Sequence, residues 1–252
     1  MASNKTKKEH VRHYIYVWQF PVRAFHWINA IAIVVLCVTG YLIGNPIAIQ
    51  SGAEAWSQYW FGRVRFIHFT TAYIWVAIAV LRIYWGFVGN EFVRFKHFLP
   101  TTKRQWKEIG NVLKMDVLQV RKGASFEVGH NALAGFTYAI MFLLFLFQVL
   151  TGFGLYTGMA SNWFVDLFSW VVPLLGGDPM TRFLHHITLW LFVVFFMVHV
   201  YLSFYHDYVE ATGTVSSMIG GWKFIRGDQM DRVREDERER LRKLRTQVKP
   251  QG

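Results

Sequence analysis

Four stretches of this 252-residue chain are apolar for twenty residues or more, and polar and charged positions crowd between them. They run Ala24–Ile43, Phe66–Val88, Ala132–Tyr156 and Phe183–Phe204. Each is long enough to cross roughly 30 Å of hydrocarbon as an α-helix, with every backbone group satisfied inside its own segment. None contains Asp or Glu, and Arg82, near one end of the second, can reach the interface by snorkelling. The pattern predicts an all-α, integral membrane four-helix bundle in a single domain. No internal repeat and no Gly/Ser- or Pro-rich linker points to a second folded unit. The first run is too long for the core of a signal peptide and lacks a small-residue cleavage site, so a retained first span is expected.

The segments between the spans are read from their charge. Lys5, Lys7, Lys8, Arg12 and Arg23 precede the first span, and eight Lys or Arg residues lie between the second and third. Ten more follow His206. The first connection holds only Arg63 and Arg65, and the last only Arg182. The positive-inside rule then puts both termini and the 89–129 loop in the cytoplasm. The net charge of +11 is a topology signal on this reading, and nucleic-acid binding is not expected. Thr102 and Gln105 resemble a capping box before an apolar stripe of Trp106, Ile109, Leu113, Val117 and Val120, which predicts an interfacial helix. Asn162–Leu175 is too short to span and is placed on the outer face. The charged tail, 207–252, pairs Asp236 with Arg240 and Glu239 with Lys243, and its Asp231–Arg245 stretch is expected as a solvated helix.

Histidines inside the spans carry the candidate chemistry, because imidazole is costly in lipid and usually marks a ligand or a proton path there. His185 and His199 are fourteen positions apart, roughly 21 Å along a helix and about 40° apart around it. They share a face, one near each end. By depth His68 matches His185 at the outer side, and His26 matches His199 at the inner side. Each pair bridges two helices, as expected for bis-histidine ligation of an electron-transferring haem. A single intramembrane histidine can also be a hydrogen-bonding group between helices. His186 lies about 140° from His199 around the helix, so His185 is the preferred ligand and His186 the alternative. His10, His13 and His97 sit in polar segments and are expected at the surface. Cys37 is the sole cysteine, which excludes an internal disulfide, a cysteine-ligated iron–sulfur cluster supplied by this chain alone, and a C-x-x-C-H covalent haem. Two non-covalent haems are therefore expected. Thr39-Gly40 and Gly152-x-Gly154 offer room for a flat macrocycle or for ordinary helix packing. A proton channel or transporter is disfavoured by the absence of acidic residues and of a broken helix in the spans.

These residues resemble a known family, the b-type cytochrome subunit of membrane-bound nickel–iron hydrogenases. The likeness rests on Arg23-x-x-His26-Trp27 with Leu36-x-x-Thr39-Gly40, and on Arg182-x-x-His185-His186-Ile187 with Trp190, Phe195 and His199. Arg82-Ile83-Tyr84-Trp85, Gly89-Asn90 and Gly129-His130-Asn131 add to it, from about Val17 to Trp222. Cytochrome b subunits of formate dehydrogenases share the four-helix, two-haem plan and are the alternative. The resemblance implies two haem b groups in a multi-pass subunit of the bacterial inner membrane. It implies an electron-transfer subunit rather than an enzyme on its own, serving a respiratory hydrogen:quinone oxidoreductase. Partners would be the iron–sulfur small subunit of a hydrogenase, through it the nickel–iron large subunit, and quinone as electron acceptor. It places the quinone near His199, His130 and Asn131. Asn131 has a second reading, as the cap of the third helix.

Overall fold

The structure, a computed structural model, describes residues 12–47, 59–94, 106–107, 109–111, 114 and 132–226. Four long helices form its body: α1 (Phe20–Gly44), α2 (Trp60–Val88), α3 (Ala132–Tyr156) and, after two short helices α4 (Trp163–Asp166) and α5 (Val171–Leu174), α6 (Asp178–Glu210). All four are long and apolar enough to cross a membrane. Between 6% and 17% of the most apolar window of each is buried, so large side chains such as Phe66, Phe87 and Phe204 face outward. A soluble bundle would turn that surface inward; here it meets lipid.

Helix starts and stops follow local chemistry. Pro21 opens α1, where its missing N–H costs nothing, and Pro179 does the same for α6. α6 ends on Ala211 in the left-handed conformation, the usual backbone for a helix stop. At 33 residues α6 is about 50 Å long and overshoots the hydrocarbon. Asn162 caps α4, its Oδ1 accepting from the N–H groups of Phe164 and Val165.

α1 lies along α2, α3 along α6, and α1 also meets α6. Halfway along the bundle, Ala32, Trp75 and Phe192 form a buried cluster, with Ile33, Leu36, Met141, Leu144 and Phe145 packed against it. Trp75 meets Phe145 edge-on at 4.6 Å and Phe192 at 5.7 Å.

One end of the bundle carries a structure that the apolar pattern does not predict. β1 (Arg12–Tyr16) pairs antiparallel with β2 (Trp222–Arg226), Arg12 opposite Arg226 and Tyr16 opposite Trp222. The first residues expected in the charged tail thus complete α6, form helix α7 (Thr214–Gly220) and return as β2. Rings pair across the strands, Tyr14 on Phe224 and Tyr16 on Trp222. Gly221, at φ +87°, turns the chain where a side chain would strike Tyr16 and the Trp18 carbonyl. Its own carbonyl accepts from the N–H groups of Val17 and Trp18.

This platform is bolted to the helices. Val17, Trp18, Val22 and Val93 form a second buried cluster. Trp18 Nε1 donates to Ser217 Oγ, Trp27 Nε1 to the Met218 carbonyl, and Arg23 to the Ile219 carbonyl. Gln19 Oε1 accepts from both Trp85 Nε1 and the Asn90 N–H at 3.1 Å, while Asn90 Nδ2 donates to the Val17 carbonyl. Trp85 and Asn90, singled out in the sequence, therefore have structural work at this sheet end. Arg82 reaches the same end, its Nη2 toward the Val93 carbonyl and its guanidinium over Tyr138.

Candidate functional site

The end of the bundle opposite the sheet brings His68 of α2 and His185 of α6 to one cavity. The cavity has a volume of about 130 Å³ and is open on one side. Its walls are largely apolar, and His186, Gln148, Arg65 and Arg182 are among the few polar side chains on them. Arg65 and Arg182 each sit three residues, one helical turn, before a cavity histidine. Arg23 stands in the same relation to His26.

Each cavity histidine is held by a Thr-Gly step on a neighbouring helix. Thr39 Oγ1 lies 2.8 Å from His68 Nδ1, and Thr151 Oγ1 lies 2.8 Å from His185 Nδ1. Both threonines are buried. The glycine that follows each one makes room for the ring. A Cβ on Gly40 would sit 3.3 Å from His68 Cε1, and one on Gly152 would sit 3.1 Å from His185 Cε1. Gln148 Nε2 donates to the His185 backbone carbonyl and to His185 Nε2, each at 3.3 Å. His186 also lines the cavity but is held differently. Its Nδ1 donates to the Arg182 carbonyl at 2.9 Å and its Nε2 presses against Gly44 of α1.

At the sheet end, His26 of α1 and His199 of α6 meet with ring centroids 6.2 Å apart and planes 52° apart. Two imidazoles bound to one metal through nitrogens about 2 Å from it, with about 1.1 Å from nitrogen to ring centre, lie roughly 6.3 Å apart. The observed spacing fits that bridge. His26 Nδ1 is buried with no hydrogen-bond partner among the described residues, a group in want of one. Phe195, one turn before His199, stacks on its ring at 5.4 Å, and Trp27 meets His26 edge-on at 5.2 Å.

Among the described residues no three His, Cys, Asp or Glu side chains converge on one point. A histidine pair alone cannot fill the coordination sphere of a bare metal ion, whereas a macrocycle bringing four donors needs two axial ligands and no more. A histidine pair is thus a donor set that fits a haem better than a bare ion. The Trp75 cluster lies between the pairs.

Of the residues expected from sequence, His26 and His199 come together, and His68 and His185 share the cavity. His13 is half-buried in β1 opposite Ile225. His130 and Asn131, His10 and His97, and all of the expected interfacial helix except six positions lie outside the described residues. Thr39, Thr151 and Gln148, which contact the cavity histidines, are not marked by the spacing of the histidines themselves. The available signal was a Thr-Gly pair at the same end of α1 and α3.

The sequence model of the family described as prokaryotic cytochrome b561 matches residues 17–221. A protein of Azotobacter vinelandii named probable Ni/Fe-hydrogenase B-type cytochrome subunit is 39% identical over 222 residues, covering 86% of this chain and 91% of that one. Its namesake in Cupriavidus necator is 40% identical over 212 residues, 82% of this chain and 86% of that one. The probable Ni/Fe-hydrogenase 1 B-type cytochrome subunit of Escherichia coli K12 is 32% identical over 216 residues, 82% and 90% of the two chains.

Proposed function

Since the chain belongs to the prokaryotic cytochrome b561 family, we propose that it is the di-haem membrane subunit of a nickel–iron hydrogenase. In this role it anchors the complex and delivers electrons to quinone. The observation that carries the reading is the gathering of four span histidines into two pairs at opposite ends of one bundle. The names of the relatives favour a hydrogenase over a formate dehydrogenase as the complex served.

His68 and His185 hold one haem b, and His26 and His199 the other. Bound there, each haem would supply a one-electron carrier, with the paired histidines as its protein ligands. Arg65 and Arg182 at the cavity mouth offer guanidinium groups to the haem's acid side chains. The two sites lie about 21 Å apart along α6, with the Trp75 cluster between them. The positive-inside count makes the sheet end cytoplasmic and the cavity end outer, in the inner membrane of a bacterium. The outer end, with α4 and α5, then faces the iron–sulfur small subunit and through it the nickel–iron large subunit. Quinone is reduced at the cytoplasmic end, where His130 and Asn131 offer hydrogen-bond donors to its oxygens.

The test is the haem content of the purified subunit. Pyridine haemochrome spectra should show b-type haem at two per chain, fully extractable by acid acetone. A protein saturated with haem that binds none, or that keeps it covalently, refutes the reading; one per chain removes one of the pairs.

A further inference from the structure

The two Thr-Gly steps do more than make room. Thr39 Oγ1 lies 2.6 Å from the Val35 carbonyl oxygen and Thr151 Oγ1 lies 2.8 Å from that of Phe147. Two oxygens that close repel unless a proton lies between them, so each hydroxyl donates one turn back along its own helix. A hydroxyl has a single proton. Each threonine oxygen is therefore an acceptor toward the histidine at 2.8 Å, and the proton on that second line belongs to the imidazole Nδ1.

This settles the tautomer of both rings. With Nδ1 protonated, Nε2 carries the lone pair. At His185 that lone pair accepts from Gln148 Nε2 at 3.3 Å, which fits the same tautomer, and the amide must turn aside for Nε2 to bind a metal. The helical backbone thus orients two threonines, two threonines orient two imidazoles, and both imidazoles are set with Nε2 as the metal-binding atom. No such partner holds His26, whose Nδ1 is buried and unmatched among the described residues.

We propose that Thr39 and Thr151 are positioning residues that lock His68 and His185 in the Nδ1–H form and lower the reduction potential of the haem they hold. The proposal rests on the two-haem reading. A hydrogen-bond acceptor on Nδ1–H makes the imidazole a more basic ligand, and a more basic ligand favours ferric over ferrous iron. The iron gains or loses one electron and no bond to it changes. Because this bias acts at the cavity end, it tilts electron flow toward the sheet end, the direction the proposed function requires. It also gives the Thr-Gly pairs of α1 and α3 one shared purpose that ordinary helix packing would not repeat on the same side of two histidines.

The experiment is a potentiometric titration of the purified hydrogenase complex, read in the haem α-band and by low-temperature electron paramagnetic resonance. His185→Ala first identifies the cavity-end midpoint as the one it abolishes. In Thr39→Val/Thr151→Val that midpoint should rise, changing the ferric-to-ferrous ratio at fixed potential by up to tenfold, about 59 mV for a one-electron couple. The other midpoint should stay put. Thr39→Ser/Thr151→Ser, which keeps both hydroxyls, should titrate as wild type. If the valine variant loses the cavity-end haem, the serine variant must retain it; loss in both makes the threonine methyl the essential group and overturns the proposal. Unmoved midpoints, or equal movement of both, overturn it as well. A wild-type complex without two haem midpoints fails the functional reading instead, so the two failures are distinct.

Discussion

Replacing Gly152 by alanine tests which histidine of the adjacent pair serves the cavity. The added Cβ would stand 3.1 Å from His185 Cε1, with Nδ1 at 3.8 Å and Nε2 at 3.9 Å. That first contact is tighter than most that a Cβ makes, so the ring must give by a few tenths of an ångström. His185 has little freedom to do so, because Thr151 holds its Nδ1 from the same helix. Overpacking of this kind costs about 1–3 kcal/mol. If the strain falls on ligation, haem affinity at the cavity end should drop by about 5- to 150-fold. Gly44→Ala is the control. It crowds His186 more severely, but that ring is held by one hydrogen bond to the Arg182 carbonyl, and releasing it costs about 1 kcal/mol with no ligand moved. The assay is haem retention during dilution of detergent-solubilised protein, followed in the reduced-minus-oxidised spectrum. Gly152→Ala should shed one haem of two while Gly44→Ala keeps both. The opposite outcome would make His186 the ligand and refute the assignment of His185.

Two further outcomes follow from the sheet end and the quinone. Gln19→Ala leaves the Trp85 Nε1–H and the Asn90 N–H without their shared acceptor and should cost about 1–3 kcal/mol, read as a lower temperature for loss of the haem spectrum. An unchanged transition would mean that water replaces the amide there. Asn131→Ala should slow quinone reduction by hydrogen about 2- to 10-fold, the worth of one hydrogen bond, with both haems bound and dye reduction by the hydrogenase unaffected. Wild-type rates in both Asn131→Ala and His130→Ala would move the quinone site elsewhere, with the outer connection between α1 and α2 the next candidate.

Much of this protein is legible from one dimension. Twenty apolar residues in a row admit one secondary structure in lipid, so the four spans and the all-α class follow from composition and length. The angular repeat of a helix is equally local, and it was enough to put His185 and His199 on one face and to rank His185 above His186. Depth can be counted from the span ends and sets His26 level with His199, and their rings lie 6.2 Å apart. What depends on neighbours distant in the chain was invisible. The β1–β2 pairing joins segments some 210 residues apart, and five-residue strands carry too little periodicity to announce themselves. Trp85 and Asn90 gained their meaning from Gln19, which no spacing rule connects to them. The threonines are the plainest case. Thr39 and Thr151 are ordinary small polar residues in a membrane helix until packing sets an imidazole 2.8 Å from each hydroxyl. Helix geometry fixes where a side chain points on its own helix; only the packing of one helix against another decides what it meets there.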